Sequence, residues 1–427
     1  MSNQKEHFLA EVLQYIKSKE AKEAVYKELN YHLKMSKLEL VSKGTPENEA
    51  EERSIKQMGS PTELGTHFNR LYRPKFDWKL FGLFFIIILM GILPTLNGQE
   101  PYFDDSYLKQ TIYIVLGIVV AISVMLLDYR KLKRFGWLYL VAAISILLAL
   151  HFITDMPIKG AAFIEINGVP YLNILGFNFS GSSLFPLFLL FWASYLSKEK
   201  PKIIVIICVY LISVLLFFAL PNFSEALIYS ALVFSLFCSQ QTTKKVSYKR
   251  IGASLGLIAT VVCIFWFTVE DYQRIRLLGY LNPDDYPENE GYMYVLLKKI
   301  ISEGGWFGNN ENTIGALTHD MAFANITYYY GWVLSGFLFT LLVLLLYRLI
   351  VISTQIKDRF GKQLILGVCA LLAAQFVYNI GMTFGIFPII SMSLPFISYG
   401  LISTVFNSFL IGIVLSVYRR KDLVINI

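Results

Sequence analysis

The residue best placed to do chemistry is Asp320, in the sequence THDMAF (318–323) at the start of a long apolar run. A carboxylate at the edge of an apolar segment is partly removed from water, which makes it a stronger base for a hydroxyl proton. The position also predicts a simpler role, because aspartate is a favoured N-cap at the start of a helix. Both interpretations stay open on the sequence alone.

Several side chains near Asp320 could serve the same chemistry. His319 could orient the carboxylate, although an interfacial hydrogen-bonding role is the simpler expectation for a lone histidine. Three basic residues earlier in the chain could neutralise charge on a phosphorylated leaving group, and each could equally be an interface residue whose cationic head reaches water. They are Arg276, Lys298 and Lys299.

A turn-rich acidic stretch lies between these basic residues and contains Asp284, Asp285, Glu288 and Glu290. Carboxylate oxygens bind divalent cations such as Mg²⁺, but this spacing matches no defined cation-binding loop. We therefore expect a solvated turn, with Mg²⁺ binding as the alternative. The four cysteines lie in apolar runs without a C-x-x-C pair, so the sequence predicts neither a zinc site nor a disulfide framework.

The segments that must position these residues are predominantly apolar. Hydrophobic residues make up 55% of the 427-residue chain and charged residues only 16%, which excludes a soluble globular enzyme. The formal net charge is +7, but the basic residues flank apolar runs, a placement typical of membrane orientation rather than of nucleic-acid binding. The sequence predicts an all-α polytopic membrane protein without a nucleic-acid partner.

Ten apolar stretches are near the length of about 20 residues that crosses a bilayer. They cover residues 79–96, 109–127, 135–153, 183–197, 202–220, 222–239, 250–268, 322–348, 363–388 and 394–417. Because the first run begins only near Leu80, we expect no signal peptide and a cytosolic N-terminus. Most lysines and arginines then fall on the cytosolic side. We predict ten spans in the bacterial cytoplasmic membrane, both termini in the cytosol, and a long external loop at 269–321.

Residues 1–76 differ from the rest because they are rich in charge, while residues such as Phe8, Leu9 and Val12 have the spacing of an amphipathic helix. Gly44 and Gly59 predict helix ends, TP (45–46) predicts a helix start, and SPTE (60–63) has the spacing of a capping box. We predict a small cytosolic helical bundle. It is either a docking unit for a partner that the sequence does not identify or an appendage that aids folding.

The C-terminal third carries the most specific motifs. The run QFVYNIGM (375–382) is followed by SMSLPFISYG (391–400), and RLLGYLNP (276–283) and GGWFG (304–308) lie upstream in the long loop. Together they resemble the signature of the shape, elongation, division and sporulation (SEDS) family of RodA/FtsW/SpoVE-type peptidoglycan glycosyltransferases. The resemblance covers residues 77–427. The preceding run MGSPTEL (58–64) resembles the helical prefix of some bacterial permease-type and anti-sigma-type membrane proteins.

The SEDS resemblance implies polymerisation of lipid II at the outer face of the membrane, with Asp320 as the catalytic base and undecaprenyl pyrophosphate as the leaving group. It implies a class B penicillin-binding-type transpeptidase as partner. The implied substrate-binding positions are Arg276, Lys298, Lys299, His319, Asn379 and Ser398.

Two other classes of function stay open. A non-catalytic membrane scaffold or sensor is favoured by the segment SGSSLFP (180–186), which lacks two charges that the family usually carries there. A flippase for a lipid-linked precursor is favoured by Glu225, an acidic residue inside an apolar stretch, and by the proline-interrupted helices near the C-terminus.

Overall fold

The computed structural model describes residues 3–96, 106–154, 163–166, 169–174, 177–220, 223–240, 252, 256, 259, 271–309 and 319–423. The chain divides into two compact units. The prefix unit contains Met1–Phe76 together with Tyr418–Ile427, and the membrane unit contains Asp77–Val417. The predicted span 250–268 lies outside the described residues apart from three isolated positions.

Four helices make up most of the prefix unit: α1 (Asn3–Gln14), α2 (Lys19–Ser42), α3 (Glu47–Met58) and α4 (Pro61–Leu71). Their apolar side chains form one buried cluster, with Leu9, Val12 and Val25 fully enclosed. Two predicted helix starts were wrong in detail. Pro46 rather than Thr45 is the N-cap of α3, and Ser60 precedes α4 without making a capping hydrogen bond.

The C-terminal residues complete the prefix unit. Arg420 is only 2% exposed and donates to both carboxylate oxygens of Glu20, at 2.7 and 2.8 Å. Lys75 Nζ lies 2.6 Å from Asp422 Oδ2, and Leu423 joins the buried apolar cluster of the bundle. Residues 420–423 are therefore part of the prefix unit, and Leu423 belongs to its core.

The membrane unit is built mainly from apolar helices. In chain order they are α5 (Trp78–Met90), α6 (Leu93–Leu96), α7 (Ser106–Leu126), α8 (Gly136–Thr154), α9 (Phe185–Leu196), α10 (Ile203–Ala219), α11 (Phe223–Cys238), α12 (Asp271–Leu281), α13 (Tyr292–Glu303), α14 (Ala322–Gln355), α15 (Arg359–Thr383) and α16 (Leu401–Arg419). Short 3₁₀ turns precede α8 at Tyr129–Phe135 and α9 at Gly181–Leu184, and another lies at Pro283–Asp285.

The prediction of an all-α polytopic membrane protein is confirmed at this level. Six helical stretches of the described chain are long and apolar enough to cross a membrane, namely α5 with α6, α7, α8 with its 3₁₀ turn, α14, α15 and α16. The apolar helices at 181–196, 203–219 and 224–238 are shorter. The count of ten spans stays a prediction.

A small antiparallel sheet lies between α8 and α9, and the sequence analysis did not predict it. Its strands are β1 (Phe163–Ile166), β2 (Val169–Ile174) and β3 (Phe177–Phe179), in the order β1-β2-β3. Leu172 in the central strand is paired with Phe163 on one side and with Phe179 on the other. The sheet leads directly into the 3₁₀ turn before α9.

The last two predicted spans extended too far into the loop between them. Helix α15 ends at Thr383 and α16 begins at Leu401, so residues 384–400 are not helical. Gly385, with φ 69°, ends α15 in the left-handed conformation that closes many helices. Pro388 and Pro395 then disfavour helix in the following segment, because proline has no N–H to donate and restricts the residue before it. Hydrophobic character alone could not reveal these interruptions.

Candidate active site

Asp320 and His319 form a hydrogen-bonded pair immediately before α14. His319 Nδ1 lies 2.7 Å from Asp320 Oδ1. An ionised carboxylate can only accept, so this contact requires the proton on Nδ1. The Asp320 side chain is 28% exposed, which leaves the carboxylate accessible to a reacting group.

The electrostatic partner of His319 is Asp320 itself. Burial lowers the pKa of His319, but the hydrogen bond and the negative charge of Asp320 outweigh this effect, and the pKa is raised above its ordinary value. The direct contact supports the orienting role that the sequence analysis offered as the alternative for His319. It gives His319 an orienting position relative to the carboxylate.

Asn379 holds the backbone on which Asp320 sits. It is fully buried in α15, and its Nδ2 donates to Asp320 O at 2.8 Å and to Met392 O at 2.6 Å. One amide thus joins the start of α14 to the non-helical segment 384–400. Asn379, predicted as a substrate-binding residue, contacts the site through main-chain carbonyls.

The alternative role of Asp320 as a helix cap does not match the structure. Met321 is the N-cap of α14, and no side-chain capping hydrogen bond is present. The Asp320 carboxylate instead contacts the neighbouring imidazole. Helix capping therefore does not explain why an aspartate is present at position 320.

Ser398, predicted as a substrate-binding residue, lies inside the non-helical segment 384–400. It is 1% exposed, and its Oγ accepts the N–H of Leu394 at 2.7 Å, which closes the turn that contains Phe396 with φ 69°. The segment then passes close to the site, since a Cβ on Gly400 would lie 3.9 Å from His319 Nε2. Ser398 thus shapes the backbone of this segment.

The three predicted cationic residues are not brought to Asp320 by any described contact. Lys298 and Lys299 are exposed on α13, where Lys299 lies 3.9 Å from Glu303 one turn away. Arg276 lies in α12, and its side chain is outside the described part of the chain. Their predicted role toward a phosphorylated leaving group stays a prediction.

Two further polar residues belong to this end of the membrane unit. Burial raises the pKa of Tyr171 to about 12, and the charges of Glu225 and Asp320 both add to the shift, so the tyrosine lies within electrostatic range of both carboxylates. Glu225 is 3% exposed, and its Oε1 accepts the N–H of Ser182 at 2.7 Å. The sequence pointed to Glu225 because it is an acidic residue inside an apolar run. No sequence pattern indicated that Tyr171 lies near the site.

The acidic stretch at 284–290 forms an exposed turn. Among the described residues, no group of three or more histidine, cysteine, aspartate or glutamate side chains is arranged to hold a metal ion. The site that the structure does describe is a carboxylate–imidazole pair. Such a pair can accept a proton from a hydroxyl group and share the resulting charge between two groups.

Comparison with known proteins matches most of the chain. A family model described as "Cell cycle protein" (FTSW_RODA_SPOVE) matches residues 74–423. The chain is 26% identical to the probable peptidoglycan glycosyltransferase FtsW of Geobacter metallireducens over 369 residues, which cover 79% of this chain and 91% of that protein. It is 30% identical to the peptidoglycan glycosyltransferase MrdB of Escherichia coli K12 over 186 residues, which cover 42% and 50% of the two chains.

Two solved structures share the fold. A chain of a peptidoglycan synthase complex, solved in a study of how polymerisation and crosslinking are coordinated, has a TM-score of 0.68 at 23% identity and covers 81% of this chain and 98% of its own. The rod shape determining protein RodA of Thermus thermophilus has a TM-score of 0.56 at 21% identity, with 81% and 97% covered.

Proposed function

Because the chain belongs to the FtsW/RodA/SpoVE family of cell cycle proteins, we propose that it is a peptidoglycan glycosyltransferase that polymerises lipid II. The reaction takes place at the outer face of the cytoplasmic membrane and supplies glycan strands for elongation, division or sporulation. The relatives named peptidoglycan glycosyltransferases support this assignment at the level of reaction class.

The observation that carries the proposal for this chain is the Asp320–His319 pair at the start of α14. Asp320 accepts the proton of the acceptor sugar's hydroxyl group while the oxygen attacks the anomeric carbon of the donor. The new C–O bond forms as the bond from that carbon to the pyrophosphate oxygen breaks, with inversion. Undecaprenyl pyrophosphate leaves with the bonding electrons, and His319 keeps the carboxylate oriented.

The composition of the prefix unit supports the proposed topology. Residues near both ends of the chain share this unit, which supports the proposal that both termini lie on one side of the membrane and that the number of crossings is even. Nine of the ten proposed spans correspond to described apolar helices, and the remaining one is residues 250–268. The basic residues at the helix ends support a cytosolic prefix unit.

A reporter after Ile427 tests this topology together with one inserted beside Asn289, an exposed residue of the long loop. We expect the first to be cytosolic and the second external. A cytosolic signal at Asn289 would remove Asp320 from the compartment in which the proposed reaction occurs and would contradict the ten-span arrangement.

A transpeptidase of the class B penicillin-binding type is the proposed partner. A structural relative of this chain was solved within a peptidoglycan synthase complex, which supports a partner that crosslinks the strands. Lipid II is the proposed substrate of the chain itself.

A second candidate function is a non-catalytic scaffold of the same family. It is favoured by the segment 180–186, where Ser180 and Ser182 stand in a region that is usually charged in the family, and where Glu225 from α11 contacts the backbone instead. Glu225 is also the residue that favours a flippase.

Labelled lipid II distinguishes the three candidates. Purified protein is incubated with it, alone and with the cognate transpeptidase, and the products are separated by length. Glycan strands are expected for the enzyme. Movement of lipid II across vesicles without strands would favour a flippase, and neither strands nor movement would favour the scaffold.

A further inference from the structure

Trp306 and Phe307 form an unusual exposed patch in the membrane unit. They are 74% and 85% exposed, and Phe307 is more exposed than any other large hydrophobic side chain in the described part of the chain. They lie in residues 304–309, which we call the aromatic loop, directly after α13. Exposed large apolar groups of this kind mark a surface that contacts a lipid or a protein.

The aromatic loop is held rigidly by an interruption of α14. Gly331 has φ 85° and ψ 172°, so the helix is kinked there and its local hydrogen bonding is broken. Trp332 N–H and Val333 N–H donate instead to Gly305 O and Trp306 O, at 3.0 and 3.2 Å. A side chain on Gly331 would collide with Trp306 O.

The other end of the loop is fixed in the same way. Asn309 N–H donates to Tyr328 O at 2.7 Å, and Gly308, with φ 97°, lies so close to the carbonyl of Tyr329 that no side chain would fit. The backbone is therefore bonded to α14 on both sides of Phe307. The two aromatic side chains are displayed by a fixed support.

Neighbouring helices show where the kink lies relative to the membrane. The Tyr330 hydroxyl donates to Leu93 O at 3.1 Å, near the end of the first span. The ring of Trp332 stacks on Phe384, the residue after the end of α15, with centroids 6.0 Å apart. The kink at Gly331 therefore lies beside the C-terminal ends of the first span and of α15.

The length of α14 also indicates that Gly331 lies near the boundary of the hydrocarbon core. Residues 332–355 alone extend about 36 Å as a helix, which is enough to cross a hydrocarbon core of about 30 Å. The part before Gly331 is not needed to span the membrane. Trp306 and Phe307, whose backbone contacts Trp332 and Val333, thus lie at the boundary where aromatic side chains favour the headgroup region.

We propose that the aromatic loop is a lipid anchor, with Trp306 and Phe307 inserted into the headgroup region of the outer leaflet. The choice of leaflet rests on the proposed function and its topology. The anchor fixes the level of Asp320 in the membrane, since the aromatic loop and Asp320 flank the same short segment of α14. Asp320 is thereby held at the depth at which a lipid carries its pyrophosphate and sugars.

Depth-dependent quenching tests this proposal on the full-length protein. The protein is reconstituted in vesicles of phosphatidylethanolamine and phosphatidylglycerol that carry a nitroxide either near the headgroup or at the end of the acyl chain. The emission difference between wild type and Trp306→Phe isolates Trp306. We expect the shallow label to remove most of this emission and the deep label to remove less.

Two matched variants calibrate the measurement. Trp78→Phe isolates a tryptophan that is 75% exposed at the start of a span, and it should report lipid quenching. Trp192→Phe isolates a fully buried tryptophan, and it should report none. Trp306 emission that is quenched by aqueous iodide but by neither lipid label would overturn the proposal and indicate a surface for a protein partner or for water.

A kinetic measurement links the anchor to the reaction. Trp306→Ser combined with Phe307→Ser should raise the KM for lipid II in vesicles, whereas Trp78→Ser should leave it unchanged. An unchanged KM would contradict the role in setting the level of Asp320. Because quenching needs no turnover, a protein that fails to polymerise lipid II would still report on the anchor.

Discussion

The prefix unit and the membrane unit differ in where they place apolar side chains. In the prefix unit, the apolar core residues Leu9, Val12 and Val25 are fully enclosed, and ion pairs such as Glu49–Arg53 and Glu52–Lys56 lie on the surface. In the membrane unit, Leu138 and Val141 are 61% and 59% exposed on the outside of α8. The difference reflects the solvent, because lipid accepts apolar surface that water rejects.

The same comparison applies to polar groups. Surface ion pairs of the prefix unit are exposed to water and contribute little to its stability. In the membrane unit, polar side chains such as Asn325, Thr327 and Asn379 are buried, so the loss of a partner leaves a polar group unsatisfied. A polar side chain inside the membrane unit therefore has a larger effect on structure than one on the prefix surface.

The largest change in stability is expected from Asn379→Ala. It leaves Asp320 O and Met392 O without their donor, and unpaired buried carbonyls cost about 1–3 kcal/mol each. Thermal unfolding in detergent should show a clear loss of stability, and turnover should fall with it. Asn289→Ala, at an exposed position, is the control and should change neither. If the two variants had the same unfolding temperature and the same turnover, the hydrogen bonds of Asn379 would not support the site.

A smaller loss is expected from Arg420→Ala in the prefix unit. Arg420 is nearly enclosed, but Glu20 is partly exposed, so we expect a loss of about 2 kcal/mol. The urea midpoint of prefix unfolding, followed by proteolysis of the full-length protein, measures it.

Exchanging the charges tests the cause of this loss. Glu20→Arg combined with Arg420→Glu should recover part of the stability, and Arg53→Ala, which removes a surface pair, should have almost no effect. If Arg420→Ala were as mild as Arg53→Ala, the Arg420–Glu20 pair would not stabilise the prefix core.

Local patterns predicted much of the fold because they depend on neighbouring residues. Apolar runs located the six long apolar helices, and the adjacent positions of His319 and Asp320 made their contact a possible arrangement. Features that join distant residues could not be predicted in this way. Arg420 meets Glu20 across 400 positions, and Tyr171 comes into range of Asp320 only through a sheet that hydropathy did not indicate.

The candidate site shows the same division. Asp320 was proposed as the base from its type, its place at an apolar boundary and the resemblance to the SEDS family. Its competing role as a helix cap depended on which residue is the N-cap of α14. The N-cap is Met321, one residue after Asp320, a difference that sequence patterns do not resolve. Ser398 and Asn379 were recognised as motif positions, but their hydrogen bonds to the backbone require the folded segment 384–400.

The smallest effect is expected from the charge of His319. Its pKa is raised in the folded protein, so the protonated form is stabilised beside Asp320. This contribution is fully present below the unfolded pKa of about 6.5 and is lost as the pH rises through the folded value. Thermal unfolding of wild type and His319→Gln across this range should show a difference that shrinks with increasing pH. A difference that grows with pH would contradict the pairing.

The most direct test compares the two units in one reaction. Purified wild type, Asp320→Asn and a variant lacking residues 1–76 are given labelled lipid II, and strand formation is timed. Asparagine cannot accept the proton, so Asp320→Asn should be slower by about 10²–10⁴-fold, while Asp284→Asn in the exposed acidic turn and the variant without the prefix should stay close to wild type. Near-normal polymerisation by well-folded Asp320→Asn protein would contradict the assignment of Asp320 as the base.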